Sequence, residues 1–217
     1  MVKYPWLVAL WLRDPSLAPA EYTGPRGCGG TIIASRFVIS AAHCLYLADQ
    51  NKIVYKELFK NDLAVRVGEH ILNEYGETGL EIFVNINHIY KNPNYQQSLQ
   101  QPRWKNGYDM VMFELEYDLP LDTYTPACLP RHSEGNRFDG KTITLAGWGY
   151  TTAAMDVINN EPYEVNLTVS TTDACLLSNQ NPSIMCAGQP EIGKGACKVK
   201  IEILTTCLIF YSPSSSG

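Results

Sequence analysis

The feature that most constrains the fold is a series of short apolar runs, separated by clusters of Gly, Pro, Asn or Ser. In two of them, residues 63–67 and 165–169, apolar and more polar residues alternate, which predicts strands with one apolar and one polar face. Many short strands with turns between them favour an all-β barrel or sandwich over an α/β fold. The predicted strands are residues 31–34, 37–40, 63–67, 82–86, 110–115, 142–146 and 165–169. The polar segments 48–61 and 92–107 between them predict surface loops, the first of them an insertion.

Composition indicates the cellular compartment of the protein and limits the kinds of partner that it can bind. The chain has 217 residues and a formal net charge of -5, which argues against nucleic acid or an anionic membrane as the main partner and leaves proteins and peptides open. The apolar run 201–211 contains Glu202 and is far shorter than the roughly 20 residues that span a bilayer. Seven cysteines without metal-type spacing predict a disulfide framework and secretory-pathway chemistry. Their odd number leaves at least one thiol unpaired, and residues 1–12 lack a secretory signal pattern, so we expect the native start to differ.

The most informative segment is residues 28–44, in which two predicted strands lead into Ala41-Ala42-His43-Cys44. A histidine at a strand end, taken alone, is more often structural than catalytic. The whole run, however, resembles the part of trypsin- and chymotrypsin-like serine proteases that carries the catalytic imidazole. The resemblance implies that His43 is a general base and that a Cys28–Cys44 disulfide tethers its turn.

Asp109 stands where a polar turn runs into an apolar strand. This position resembles that of the family's aspartate, whose carboxylate accepts a hydrogen bond from the imidazole and sets its tautomer. Met110 and Val111 follow where the family commonly has Ile and Ala, so the local match is looser than at His43. The alternative for Asp109 is a carboxylate that caps a turn.

Weaker matches elsewhere, residues 4–10, 125–130 and 146–149, occur in the family's order. Together they imply a trypsin-like double β-barrel, with the first barrel at about residues 1–125 and a partial second barrel at about 126–198. The resemblance further implies a bond from Cys128 to an N-terminal pro or regulatory segment and a Cys175–Cys186 disulfide. Gly195 would form an uncharged floor of the specificity pocket and favour an apolar substrate side chain. We expect no cofactor and no metal.

The resemblance stops after Lys198, and we expect residues 199–217 to form an unstructured, non-homologous tail. The family continues with Gly-Asp-Ser-Gly-Gly-Pro, whereas this chain has Val199-Lys200-Ile201, which places Ile201 at the position of the nucleophilic serine. We therefore expect a C-terminally truncated, secreted serine endopeptidase that is inactive as this chain. Two alternatives are a pseudoprotease that binds proteins, and a non-functional product of intron retention or a mis-predicted exon end. Lys198-Val199-Lys200 is what AAG followed by a splice-donor-like GTAAAA would encode.

Two surface features remain open. Glu69, Glu74, Glu77 and Glu81 lie in a loop that binds calcium in some members of the family, but their spacing departs from that pattern and favours a solvated acidic loop. Asn166-Leu167-Thr168 is a glycosylation sequon, a triplet that also arises by chance.

Overall fold

The computed structural model of the protein describes residues 3–14, 21–48, 55–72, 74, 76–97, 107–129, 138–149, 159–171 and 185–188. These residues form short strands and two 3-10 helices, Ala42–Leu45 and Lys60–Asp62, which is the all-β architecture that the sequence predicts. The strands are β1 (Leu7–Asp14), β2 (Glu21–Ala34), β3 (Phe37–Ser40), β4 (Tyr46–Ala48), β5 (Tyr55–Glu57), β6 (Leu63–Val67), β7 (Ile82–Lys91), β8 (Val111–Leu115), β9 (Thr142–Gly147), β10 (Tyr163–Val169) and β11 (Ala187–Gly188).

Six strands close into an antiparallel barrel in the order β1-β2-β3-β8-β7-β6. Alternate residues of β8, Val111, Phe113 and Leu115, point inward and are 0% exposed. Because each fully buried side chain of this kind contributes about 1.5 to 3 kcal/mol, the period-2 pattern of the strands sets which face turns to the core. The register pairs Ser40 of β3 with Val111 of β8, so the end of one strand lies beside the start of the other.

A second sheet has the order β11-β10-β9, and its core consists of Ile143, Leu145, Leu167 and Val169. Trp148 Nε1 donates to the His70 carbonyl at 2.9 Å, and the Leu72 amide donates to the Asn160 carbonyl at 2.9 Å. These bonds tie the chain around the second sheet to the loop that follows β6. The domain boundaries at about 125 and 198 stay predictions, and residues 199–217 lie outside the described part of the chain.

Each of the predicted strand segments overlaps an observed strand, and segments 37–40 and 63–67 have their predicted bounds. The described residues of 48–61 include exposed side chains, as expected for a surface insertion, but the prediction of a loop was wrong. Strand β5 pairs there with β4, and the following Leu58 is only 3% exposed. Lys56 of β5 is exposed whereas Leu58 is buried, so this segment is a strand pair with an exposed side and not a loop.

The more polar face of β6 is not exposed to solvent. All five residues of the strand are buried, including Arg66 at 0% exposure. The outer face of the barrel is covered at this point by a second cluster of buried side chains, Ala9, Trp11 and Leu72, against which Trp148 packs. Alternation in the sequence therefore marked two different packed faces and not an exposed one.

Among the described residues, the structure contains no helix of the length and apolarity that a membrane span requires.

Candidate active site

Two neighbouring strands of the barrel position His43. After β3 ends at Ser40, the chain enters the 3-10 helix Ala42–Leu45, which carries the imidazole. A disulfide between Cys28 of β2 and Cys44 ties this helix to the barrel, with 6.2 Å between the two Cα atoms. The predicted Cys28–Cys44 bond is thus present. By the chain-entropy account, closing a loop of 16 residues contributes about 3 kcal/mol to stability.

Asp109 lies two residues before β8 and contacts His43 from there. Its Oδ2 lies 2.5 Å from His43 Nδ1, and its Oδ1 accepts a hydrogen bond from the His43 backbone amide at 2.8 Å. The two side chains are 12% and 28% exposed, so both contacts are partly shielded from water. The structure therefore brings together the two residues that the sequence selects from positions 66 apart.

The geometry of this pair determines which ring nitrogen can act as a base. A carboxylate only accepts hydrogen bonds at neutral pH, so Nδ1 carries the proton and Nε2 has the free lone pair. Nε2 is buried and has no hydrogen-bond partner within the described residues. A neutral imidazole oriented in this way can take a proton from a neighbouring hydroxyl while Asp109 stabilises the resulting imidazolium.

The remaining predicted residues are only partly described. Cys128 is an exposed free thiol, and the amide of the preceding Ala127 donates to the Ile32 carbonyl at 2.9 Å, which fastens this segment to β2. Cys186 is disulfide-bonded. Cys175, Gly195 and Ile201 lie outside the described residues, so their predicted roles stay predictions.

One group of potential metal ligands was found in the described part of the chain. It consists of Cys28, His43 and Cys44, whose ligand atoms lie within 4.8 Å of one another. Both sulfur atoms are consumed by the disulfide, so the group offers no thiolate to a metal ion.

The acidic loop after β6 differs from the solvated loop that the sequence favours. Glu69 is 1% exposed and forms an ion pair with the buried guanidinium of Arg66. Arg66 Nη2 also donates to the Glu74 carbonyl at 2.6 Å, and its guanidinium stacks on the rings of Trp11 and Phe83 at 5.2 and 5.3 Å. Burial raises the pKa of Glu69 to about 7, although Arg66 opposes this rise.

Two other glutamates of the loop, Glu77 and Glu81, accept hydrogen bonds from its backbone amides. Glu77 Oε1 accepts hydrogen bonds from the amides of His70 and Ile71, at 3.0 and 2.7 Å. Burial would raise the pKa of Glu81, but hydrogen bonds from the Thr78 hydroxyl and amide outweigh it and lower the pKa to about 2. Arg66 already supplies a positive charge beside Glu69, which does not favour a calcium ion at this carboxylate.

The buried Arg66–Glu69 pair and the unusual backbone beside Asp109 were not predicted from the sequence. The signal for Arg66 was its place inside an apolar strand, three residues before an acidic side chain. The signal at the aspartate was Gly107, because glycine often marks a left-handed turn.

Comparisons with known proteins agree with the all-β fold of the chain. A model of the Trypsin family matches residues 3–198. Venom serine protease 34 of Apis mellifera is 30% identical over 190 residues, which cover 85% of this chain and 43% of that protein. Ovochymase-2 of Mus musculus is 32% identical over 206 residues, covering 90% and 29% of the two chains. Coagulation factor XI of Bos taurus is 28% identical over 202 residues, covering 90% and 28%. The chain thus spans less than half the length of each of these relatives, and its match to the family model over residues 3–198 shows that it belongs to the trypsin-like serine proteases.

Proposed function

We propose that this chain contains the general base of a serine endopeptidase site and the aspartate that orients it, and that it does not itself hydrolyse peptide bonds. The contact of Asp109 with His43 Nδ1, which leaves Nε2 unbonded, is the observation on which the proposal rests. In this proposal His43 is the general base and Asp109 orients it.

The proposed inactivity rests on the residues that follow Lys198, where the match to the family model ends. Aligned with the family's Gly-Asp-Ser, this chain has Val199, Lys200 and Ile201. The side chain of Ile201 has no nucleophilic atom, so no acyl-enzyme can form there. Val199 replaces a glycine whose amide helps to bind the oxyanion, and loss of one such donor costs about 100- to 1,000-fold in rate.

A fluorophosphonate probe tests this proposal, because it labels a serine only when a base has activated the hydroxyl. We expect the purified full chain to remain unlabelled and to show no saturable turnover of amide substrates. Addition of His43→Ala should leave this background unchanged. Turnover that saturates and is lost in His43→Ala would overturn the proposal, since it would require another nucleophile next to the imidazole.

The parent protein is proposed to be secreted and to act on protein or peptide substrates. Support for secretion comes from the Cys28–Cys44 disulfide and from the relatives named as a venom protease and a coagulation factor. The exposed thiol of Cys128 is available for a bond to an N-terminal pro or regulatory segment. An apolar preference of the pocket is proposed from Gly195 alone, and a panel of peptides with different side chains at the cleaved position tests it on the active parent.

A second candidate function is that of a pseudoprotease which binds protein substrates or inhibitors. The closed barrel supports it, because a binding surface needs the fold but not the nucleophile. A monomeric chain with a cooperative melt after expression with a secretory signal supports this function. Insoluble or degraded product supports a by-product of intron retention instead, and that origin fails if no in-frame Gly-Asp-Ser-Gly-Gly lies downstream in the locus.

A further inference from the structure

The turn that presents Asp109 has a backbone conformation that its sequence does not favour. Tyr108 has a φ of 52° and is the one non-glycine residue with a positive φ among those that the structure describes. The preceding Gly107 also has a positive φ, 57°. Side chains with a Cβ enter this left-handed region at a cost, except Asn and Asp, which tolerate it better. A tyrosine held there indicates that its surroundings impose the conformation.

The surroundings fix the turn from two sides. The Met110 amide donates to the Tyr108 carbonyl at 2.7 Å, which closes a three-residue turn centred on Asp109. The Met110 carbonyl in turn accepts from the Asn92 amide at 3.1 Å, immediately before β8 pairs with β3 and β7. On the other side, both carboxylate oxygens of Asp109 are engaged by His43.

We propose that the left-handed backbone at Tyr108 is a positioning element for Asp109. It directs the carboxylate so that one oxygen meets the amide of His43 while the other meets Nδ1. With an ordinary negative φ at residue 108, the Asp109 side chain would point in a different direction, and both contacts could not be kept together. We assign this role to the backbone conformation, and the variants below separate it from a role of the phenol ring.

The test compares residues at position 108 that differ in their tolerance of positive φ. Tyr108→Gly and Tyr108→Asn accept the left-handed conformation, Tyr108→Ala accepts it poorly, and β-branched Tyr108→Val accepts it least. Each full-length, disulfide-bonded variant is labelled with ¹⁵N-histidine, and the hydrogen-bonded Nδ1 proton of His43 is followed as a downfield NMR resonance. The resonance is assigned among the four histidines by its absence in His43→Ala.

We expect Tyr108→Gly and Tyr108→Asn to keep the resonance and to melt at the wild-type temperature or above it. Tyr108→Val should lose the resonance or broaden it beyond detection, and Tyr108→Ala should weaken it. Tyr163→Val is the matched control, because Tyr163 is 54% exposed and lies in β10, where a β-branched residue is favoured. It should leave the resonance unchanged.

Loss of the resonance in a folded Tyr108→Gly or Tyr108→Asn would overturn the inference and assign the positioning to the phenol ring. A full-intensity resonance in Tyr108→Val would also overturn it. If Tyr108→Val does not fold, a full-intensity resonance in folded Tyr108→Ala would overturn the inference instead. Hydrolysis by this chain would contradict the proposed function but would leave these NMR outcomes unaffected, so the two proposals fail separately.

Discussion

Replacing Arg66 by methionine tests whether the buried ion pair organises the loop after β6. Methionine keeps much of the side-chain length and removes the charge, leaving the Glu69 carboxylate without its partner. The variant also loses the hydrogen bond to the Glu74 carbonyl and the stacking on Trp11 and Phe83. These losses do not depend on the ionisation of Glu69 and amount to about 2 to 3 kcal/mol at any pH.

The ionic part of the cost depends on pH. Glu69 has a pKa of about 7 in the folded protein, and removal of Arg66 raises it further because Arg66 lowers it. At pH 5.5 the carboxyl is largely protonated with or without Arg66, so no ionic cost arises. At pH 8, ionisation of Glu69 lowers the free energy of the folded wild-type protein by about 1.4 kcal/mol relative to the protonated form, and the variant lacks this contribution. The total at pH 8 is about 4 kcal/mol, within the range for removal of one partner of a buried pair.

Urea unfolding at pH 5.5 and pH 8, followed by far-ultraviolet circular dichroism, measures both parts. Circular dichroism is preferable to fluorescence because Arg66 stacks on Trp11 and would alter its emission. The control is Arg66→Met combined with Glu69→Gln, whose cost relative to Glu69→Gln alone should not change between the two pH values. Equal costs of Arg66→Met at both pH values would refute the coupling of Glu69 to Arg66.

Three further predictions concern the pH dependence of stability, the Cys28–Cys44 disulfide and the effect of calcium. Because the pKa of Glu69 is raised in the folded protein, its contribution to stability is complete below pH 4.5 and is lost as the pH rises through 7. Relative to Glu69→Gln, the free energy of unfolding of the wild-type protein should therefore fall by up to about 3 kcal/mol between pH 4.5 and 8. Urea midpoints that change in parallel for the two proteins would contradict this. Paired Cys28→Ala and Cys44→Ala substitutions should lower the free energy of unfolding by about 3 kcal/mol, whereas Cys128→Ala, at an exposed free thiol, should change it by less than about 0.5 kcal/mol. Calcium or a chelator should leave the melting temperature unchanged, and a rise that saturates with calcium would show that the loop does hold a cation.

The sequence was sufficient for the strands whose pattern is local. Segments 37–40 and 63–67 were predicted with their observed bounds because short apolar runs and the flanking turn residues specify them without reference to the rest of the chain. Solvent exposure of β6 could not be predicted in the same way. Arg66 is buried because Trp11 of β1 and Phe83 of β7 cover its guanidinium, and both residues are distant from it in sequence.

The candidate site shows the same division between local pattern and tertiary structure. Motifs selected His43 and Asp109 one at a time, but their contact depends on the pairing of Ser40 with Val111, which places the ends of β3 and β8 side by side. A shift of that register by one residue would turn the residues of β8 to the opposite face and carry Asp109 away from the imidazole. The left-handed turn at Tyr108 completes the geometry in a way that residue preferences argue against, since tyrosine is a poor choice for a positive φ. The identity of the pair was therefore encoded locally, whereas its orientation is a property of the closed barrel.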